Sequence, residues 1–196
     1  MNDERADLFD LFDIHGQRKY LNTAEARRFL AAVRVLQQPQ RLFCLVLFYT
    51  GCRISEALEL TARRLDQDDT RIIFRTLKRR KLAYRAVPVP AKLMRDLALH
   101  AGLVADTHTP QPAQPLFPWC RVTGWRIVKE VMDRARIDGP QASPKGLRHA
   151  FGIHAVEVQI PEPMLQRWMG HARARTTRVY TVFDGSDERR WAKRMW

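Results

Sequence analysis

Tyr180 and His171 bring a phenol and an imidazole nine positions apart into a run that also carries Arg173, Arg175 and Arg178, in a chain of net charge +13. A phenol set among cations can attack a phosphate. Cutting a phosphodiester without a metal needs a nucleophile, groups that neutralise the non-bridging oxygens of the transition state, and an acid for the departing oxygen. The sequence offers a candidate for each role. Tyr180 is the candidate nucleophile, holding the bond energy as a phosphotyrosine. Arg53 and Arg148 are the candidate clamp, because a planar guanidinium matches two phosphate oxygens at once and an ammonium does not. Lys78 is the candidate acid: a lysine on a flexible hairpin tip can reach a leaving oxygen and loses pKa among cations. Lys81, in the same run Leu77-Lys78-Arg79-Arg80-Lys81, is its alternative.

Each candidate also has a plainer reading. Tyr180 is then a buried tyrosine with a satisfied hydroxyl, His171 a structural histidine, and the 77–81 run a set of phosphate contacts without proton transfer. Arg53 lies between apolar segments, where an unpaired arginine is expensive to bury, so a ligand or Glu56 must neutralise it.

Five separated pieces agree in order, spacing and apolar surroundings: Thr50-Gly51-Cys52-Arg53-Ile54-Ser55-Glu56, the 77–81 run, Lys145-Gly146-Leu147-Arg148-His149, Gly170-His171, and Tyr180. Together they resemble the tyrosine recombinase, or phage integrase, family over residues 21–183. The resemblance implies a mainly α fold with a small antiparallel β-hairpin or three-stranded sheet. It implies DNA strand breakage and rejoining through a 3′-phosphotyrosine without metal, cofactor or ATP. It gives His171 a hydrogen bond to the scissile phosphate and Glu56 an orienting role. Arg75, Arg79, Arg80, Lys81, Arg85, Arg173, Arg175 and Arg178 become the expected DNA-backbone contacts.

Two features depart from the family pattern. The family usually has histidine three residues before the second arginine, where this chain has Lys145; type IB topoisomerases often carry lysine there. A cation in the first turn of a helix opposes the helix dipole by roughly 0.3 to 1 kcal/mol, which makes better sense with a phosphate nearby. Lys145 is therefore kept in the catalytic set, and His149, about 100° further round the helix, cannot simply replace it. The second departure is that only about forty residues precede the helix leading to Arg53, where the family has a separate helical DNA-binding domain. One-sided engagement of DNA is the expectation, compensated by charge or by an accessory DNA-binding protein, with affinity falling steeply with salt.

Composition agrees with such a partner. There are 34 Lys and Arg against 21 Asp and Glu, with 45% apolar residues, which describes a globular domain attracted to double-stranded DNA. The longest apolar run, residues 42–49, is too short to span a bilayer, and the acidic first residues lack a secretory signal, so a cytoplasmic location and no membrane contact are expected. Cys44, Cys52 and Cys120 lack zinc spacing and are read as reduced, Cys44 as a core residue and Cys52 as a small packing residue; no metal is implied.

The elements that must position these groups follow from periodicity and caps. A short helix is expected over 6–13. Asn22 with Glu25 opens a helix to about Leu36, and a buried helix covers 40–50, stopped by Gly51. Another helix covers 54–60. Two short strands, 71–75 and 84–89, bracket the basic 78–82 tip. Helices follow over 91–100, from a Thr123 cap to about Ile137, from Ser143-Pro144 to about Glu157, over 163–169, and from Thr176 or Thr177 through Tyr180. Residues 102–118 read as a loop. Residues 1–20 are a short extension, and 184–196 a tail helix whose Trp191, Met195 and Trp196 pack on the same chain or on a neighbouring protomer. Strand exchange implies a dimer to tetramer on DNA. Two other readings stand beside recombination: a monomeric, topoisomerase-like relaxing enzyme, and a non-catalytic DNA-binding regulator on the same fold.

Overall fold

Asn22 and Glu25 open the first helix as a reciprocal cap, the Asn22 side chain accepting from the Glu25 backbone N–H at 2.8 Å and the Glu25 carboxylate accepting from the Asn22 backbone N–H at 3.0 Å. The structure, a computed structural model, describes residues 11–76, 83–103 and 113–171 together with Thr177 and Tyr180. Its elements are α1 (Thr23–Arg34), α2 (Gln40–Thr50), α3 (Ile54–Leu58), a 3-10 turn at Ala62–Arg64, β1 (Leu65–Asp66), β2 (Arg71–Arg75), β3 (Tyr84–Pro88), α4 (Ala91–His100), α5 (Arg121–Arg134), α6 (Pro144–Glu157) and α7 (Glu162–Met169). The mainly helical fold with a small sheet is the expected class.

The central helix is α2. Leu42, Phe43, Cys44, Val46 and Leu47 are all buried, so apolar contact comes from more than one side: α1, α4, α5 and α6 all pack against it. Phe43 meets Phe117 and Trp119 edge-on at ring separations of 5.3 and 5.6 Å. Truncating such a ring to alanine costs about 3–5 kcal/mol. Gly51 ends the helix with φ 57°, and a Cβ there would lie 2.5 Å from Phe151 of α6. That close approach sets α2 against α6 and thereby brings together the two segments that carry Arg53 and Arg148.

The three strands form an antiparallel sheet in the order β1-β2-β3, with Ile72 opposite Val87 and Phe74 opposite Arg85. Alternation buries Ile72, Phe74 and Val87 on one face. Pro144 at the first position of α6 and the Ser143 hydroxyl, which accepts from the Gly146 N–H at 3.1 Å, start the helix that carries Lys145, Arg148 and His149.

Three boundaries differ from expectation. Residues 11–13 are not helical: the Asp13 carboxylate accepts from the backbone N–H of His15 and Gln17, and this local turn competes with helix and pairs Phe12 with Arg18. Helix α5 starts at Arg121 rather than after Thr123, with Cys120 extended at the cap and Thr123 placed one turn in, 3.3 Å from the Cys120 sulfur. Helix α3 stops at Leu58, two residues early: the Leu60 N–H bonds the Ala57 carbonyl three residues back at 3.1 Å instead of continuing the helical ladder, and the Leu60 carbonyl accepts from the Leu116 N–H at 2.7 Å. The third strand, β1, is only two residues long. The expected helix over 6–10, the basic tip 77–82, the middle of the 102–118 loop and the 184–196 tail lie outside the described residues. No described helix is long and apolar enough to cross a membrane.

Candidate active site

Arg53 sits at the N-cap of α3, where its extended backbone turns the chain from Gly51 into the helix. Glu56, three residues on, accepts from the Arg53 backbone N–H at 2.8 Å and from Arg53 Nη1 at 3.1 Å. Glu56 is fully buried on its side chain, and Arg53 is half-buried. Thr50 braces the turn from behind, its hydroxyl donating to the Val46 carbonyl at 2.7 Å and accepting from the Cys52 N–H at 3.2 Å.

A second arginine holds the same carboxylate. Arg85 donates from Nη1 to Glu56 Oε1 at 3.1 Å and from Nη2 to Oε2 at 2.7 Å, while its Nε donates to the Trp168 carbonyl at 2.7 Å. Its guanidinium lies 5.1 Å from the centre of the Phe74 ring. Burial alone would raise the Glu56 carboxyl, but the Arg85 hydrogen bond and the nearby positive charges reverse this and hold it below the usual carboxylate range. This corrects the expectation that Arg85 contacts DNA: its side chain is 3% exposed and faces the interior. Strand alternation explains the placement, since Arg85 shares the inward face of β3 with Val87. The signal was present in the sequence as a period of two.

Arg148, half-buried on α6, donates from Nη1 to the Gly51 carbonyl at 2.6 Å and from Nη2 to the Met169 carbonyl at 2.8 Å. It therefore ties the end of α2 to the end of α7. Burial and the nearby Arg53 charge pull it down to about 10, so it remains protonated at neutral pH. The guanidinium carries five donors, so holding two carbonyls still permits a phosphate.

His171 follows Gly170, the left-handed C-cap of α7 at φ 64°. It is buried, with Nδ1 3.0 Å from the Thr177 hydroxyl, and burial together with the Arg148 and Arg53 charges lowers it to about 3, leaving it neutral. Its ring stacks on Tyr180 at a centroid distance of 6.3 Å and an angle of 15°.

Tyr180 occupies the seam between this cluster and a smaller apolar core formed with Leu11, Tyr20, Ile153, Leu165 and Met169. It is 3% exposed and its hydroxyl lies 3.0 Å from His149 Nδ1. Burial pushes the phenol up to about 12 against the opposing charges of Arg148 and Arg53. The contact with His149 was not foreseen from the sequence, because Tyr180 comes from a separate segment 31 residues downstream. Lys145 lies exposed in the first turn of α6, close enough for its charge to act on His149.

The structure thus gathers Arg53, Arg148, His171 and Tyr180, with Lys145 one helical turn from Arg148. Arg75 is half-exposed and paired with Glu59 at 2.9 Å. Lys78, Arg79, Arg80, Lys81, Arg173, Arg175 and Arg178 lie outside the described residues. Cys44 and Cys52 are buried, and burial pushes both thiols up to about 12, so neither is a nucleophile.

The sequence pattern described as "Phage integrase family" matches residues 19–185. The chain is 30% identical over 172 residues to Tyrosine recombinase XerA of Thermococcus onnurineus (strain NA1), covering 83% of this chain and 57% of that protein. It therefore spans just over half the length of the curated relative. The fold is similar to that of the XerH site-specific recombinase bound to a palindromic difH substrate in a post-cleavage complex, with a TM-score of 0.73 at 20% identity, covering 89% of this chain and 52% of that one. It is also similar to the catalytic domain of bacteriophage HP1 integrase, with a TM-score of 0.64 at 24% identity, covering 89% of this chain and 93% of that one. With most of its length matched by the family pattern, the chain belongs to the phage integrase family, the tyrosine recombinases.

Proposed function

We propose that residues 21–183 form the catalytic domain of a site-specific DNA recombinase that cuts and rejoins double-stranded DNA through Tyr180. The observation that carries this reading is that two guanidinium groups are held in place around the Gly51 turn, Arg53 by Glu56 and Arg148 by the Gly51 and Met169 carbonyls, with His171 of the same α7 end stacked on Tyr180. Preorganised cations of this kind stabilise charge that develops in a transition state without reorganising when it forms.

In the proposed step the Tyr180 oxygen gives up its proton to solvent water and forms a bond to phosphorus as the bond to the 5′ oxygen breaks. The departing oxygen takes a proton, for which Lys78 is the proposed source. The product is a 3′-phosphotyrosine, which a second 5′-hydroxyl reverses without ATP. Arg53 and Arg148 hold the non-bridging oxygens, with Lys145 as a further cation. For His171 to donate to the phosphate through Nε2, its Nδ1 must accept, so the Thr177 hydroxyl is the donor of that pair. Exchange between two duplexes calls for a dimer to tetramer on DNA.

A pool of nicked duplexes with a randomised central segment tests this reading. The wild-type chain traps a covalent protein–DNA adduct on a subset of sequences, and Tyr180→Phe traps none. Binding without any adduct would favour a non-catalytic regulator, and relaxation of supercoiled plasmid lacking the selected sequence would favour a topoisomerase-like enzyme.

A further inference from the structure

Helix α1 holds both ends of the connection between α5 and α6. Arg28 donates from Nε to the Ala135 carbonyl at 2.9 Å and from Nη2 to the Arg136 carbonyl at 3.3 Å, fixing the end of α5. Glu25, three residues earlier, is buried, and its Oε1 accepts from Gln141 Nε2 at 3.2 Å across 116 residues of sequence. The same carboxylate accepts from both Nη groups of Arg18 and from the Asn22 backbone N–H at the helix cap. The path continues into α6. The Gln141 carbonyl accepts from the Ser143 N–H at 2.7 Å, and the Ser143 hydroxyl accepts from the Gly146 N–H at 3.1 Å. A Cβ on Gly146 would lie 1.9 Å from that Gln141 carbonyl oxygen, so the turn presses on the start of the helix at a distance that glycine permits.

We propose that Glu25 and Gln141 are positioning residues for the cleavage step. Through the 139–143 turn they set the height and rotation of the first turn of α6, and with it where Lys145 and Arg148 meet the scissile phosphate. The inference rests on the reading of those two cations as phosphate ligands. Three observations carry it. Gln141 is buried, and its carbonyl meets α6 at Gly146, the residue next to Lys145. Lys145 is exposed, so its place above the surface follows the backbone of the turn that Gln141 braces. Finally, a buried ion pair adds little net stability compared with apolar groups of the same shape, so the directed hydrogen bonds that converge on Glu25 serve to fix one geometry.

The consequence is a division of roles along α1. Arg28 holds the α5 end of the connection, and Glu25 holds the part that enters α6. Loss of the hydrogen bond between Glu25 and Gln141 leaves the fold and DNA binding in place and slows cleavage, because a displacement of about 1 Å at a charge-stabilising group costs up to about a hundredfold.

Two variants remove the link from opposite ends, and a third serves as control. Gln141→Met keeps the volume and loses the hydrogen bond. Glu25→Gln keeps an acceptor for the Asn22 cap and loses the charge that Arg18 and Gln141 address. Arg28→Met disturbs the same connection from its α5 end. The readouts are DNA affinity, the single-turnover adduct rate on the selected nicked duplex at saturating protein, and amide hydrogen exchange of peptides covering 144–150 in the DNA-free chain. Gln141→Met and Glu25→Gln should each slow adduct formation by about ten- to a hundredfold, with DNA affinity changed by less than about twofold. Exchange in 144–150 should quicken about fivefold, as for loss of one net hydrogen bond, while peptides from α2 exchange as in the wild type. Arg28→Met should keep its adduct rate within about twofold of wild type. An adduct rate unchanged in both Gln141→Met and Glu25→Gln, or slowed equally by Arg28→Met, would overturn the proposal, as would a parallel loss of affinity. Should one of the two fail to fold, the other decides. No adduct from the wild-type chain, or an adduct surviving in Tyr180→Phe, refutes the nucleophile instead, and an adduct rate indifferent to both Lys145→Ala and Arg148→Lys refutes the phosphate ligands. In either case exchange decides whether Glu25 and Gln141 hold the start of α6: quickening confined to 144–150 supports it, and wild-type exchange overturns it.

Discussion

Arg85 grips Glu56 with both ends of its guanidinium, at 2.7 and 3.1 Å, and Glu56 in turn holds Arg53 through both its side chain and its backbone. One buried carboxylate thus links strand β3 to the cap of α3, while the Arg85 Nε bond to the Trp168 carbonyl links β3 to α7 and to the turn before His171. Two of the site's four converging groups are set by a residue that touches neither the phosphate nor the phenol.

Removing Arg85 leaves a buried carboxylate with one cation in place of two. Arg85→Met is expected to lower stability by about 3 to 5 kcal/mol, the usual consequence of breaking a buried pair from one side. The double variant Arg85→Met/Glu56→Gln should recover part of that loss, because no net buried charge remains. Denaturant midpoints of the singles and the double form a cycle that measures the coupling, and strictly additive effects would contradict it.

Acid should destabilise the fold from an unusually high pH. His149 and His171 are held near 3 in the folded chain against about 6.5 when unfolded, so the unfolded state binds more protons and stability falls as pH drops below about 6.5. At pH 5 the loss is about 2 kcal/mol per histidine. Glu56 and Glu25, both depressed, add a further loss only once pH passes below the ordinary carboxylate value of about 4.3. Urea unfolding at pH 7 and pH 5 should show the first step, and His149→Gln/His171→Gln should flatten it. Equal pH slopes for the wild type and the double variant would rule out the buried neutral histidines as its source.

Arg148 should not tolerate lysine. Its two Nη groups bridge the Gly51 and Met169 carbonyls, a span that a single ammonium cannot reproduce while still contacting a phosphate. Arg148→Lys should slow adduct formation by about a hundredfold or more, with DNA affinity changed far less, because the lost contact stabilises charge that grows in the transition state. Single-turnover rates at saturating protein check this; a parallel loss of affinity and rate would assign Arg148 to ground-state binding.

Gly51 is doubly constrained, by its left-handed backbone and by the Phe151 ring only 2.5 Å from where a Cβ would stand. Gly51→Ala is expected to cost about 2 kcal/mol or more, since strain and a forced shift of α6 add. Pairing it with Phe151→Ala should return part of the stability, and a double variant no better than Gly51→Ala alone would place the whole cost in the backbone.

Much of this fold was legible because its signals are local. The Asn22–Glu25 cap, the Gly51 stop and the Ser143-Pro144 start each act within four residues, and α2 and α4 fall where periodicity placed them. Arg53, Arg148 and His171 were marked by their flanking residues, and in the fold the Arg148 and Arg53 charges both act on His171. Arg85 was misread because charge was weighed above alternation: a positive residue near a basic hairpin tip suggested DNA, although its two-residue spacing from Val87 put it inside. Strand β1, two residues long, has too little pattern to read, and its pairing with Ile72 and Arg71 is fixed by tertiary packing. The meeting of His149 with Tyr180 depends on how α6 packs against a distant segment, for which neighbouring residues carry no local signal.

The most direct measurement is to digest the trapped protein–DNA adduct with protease and nuclease and to sequence the modified peptide by mass spectrometry. A nucleotide joined through its 3′ phosphate to the oxygen of Tyr180 is the expected product. A linkage at any other residue, or through a 5′ phosphate, would contradict the assignment.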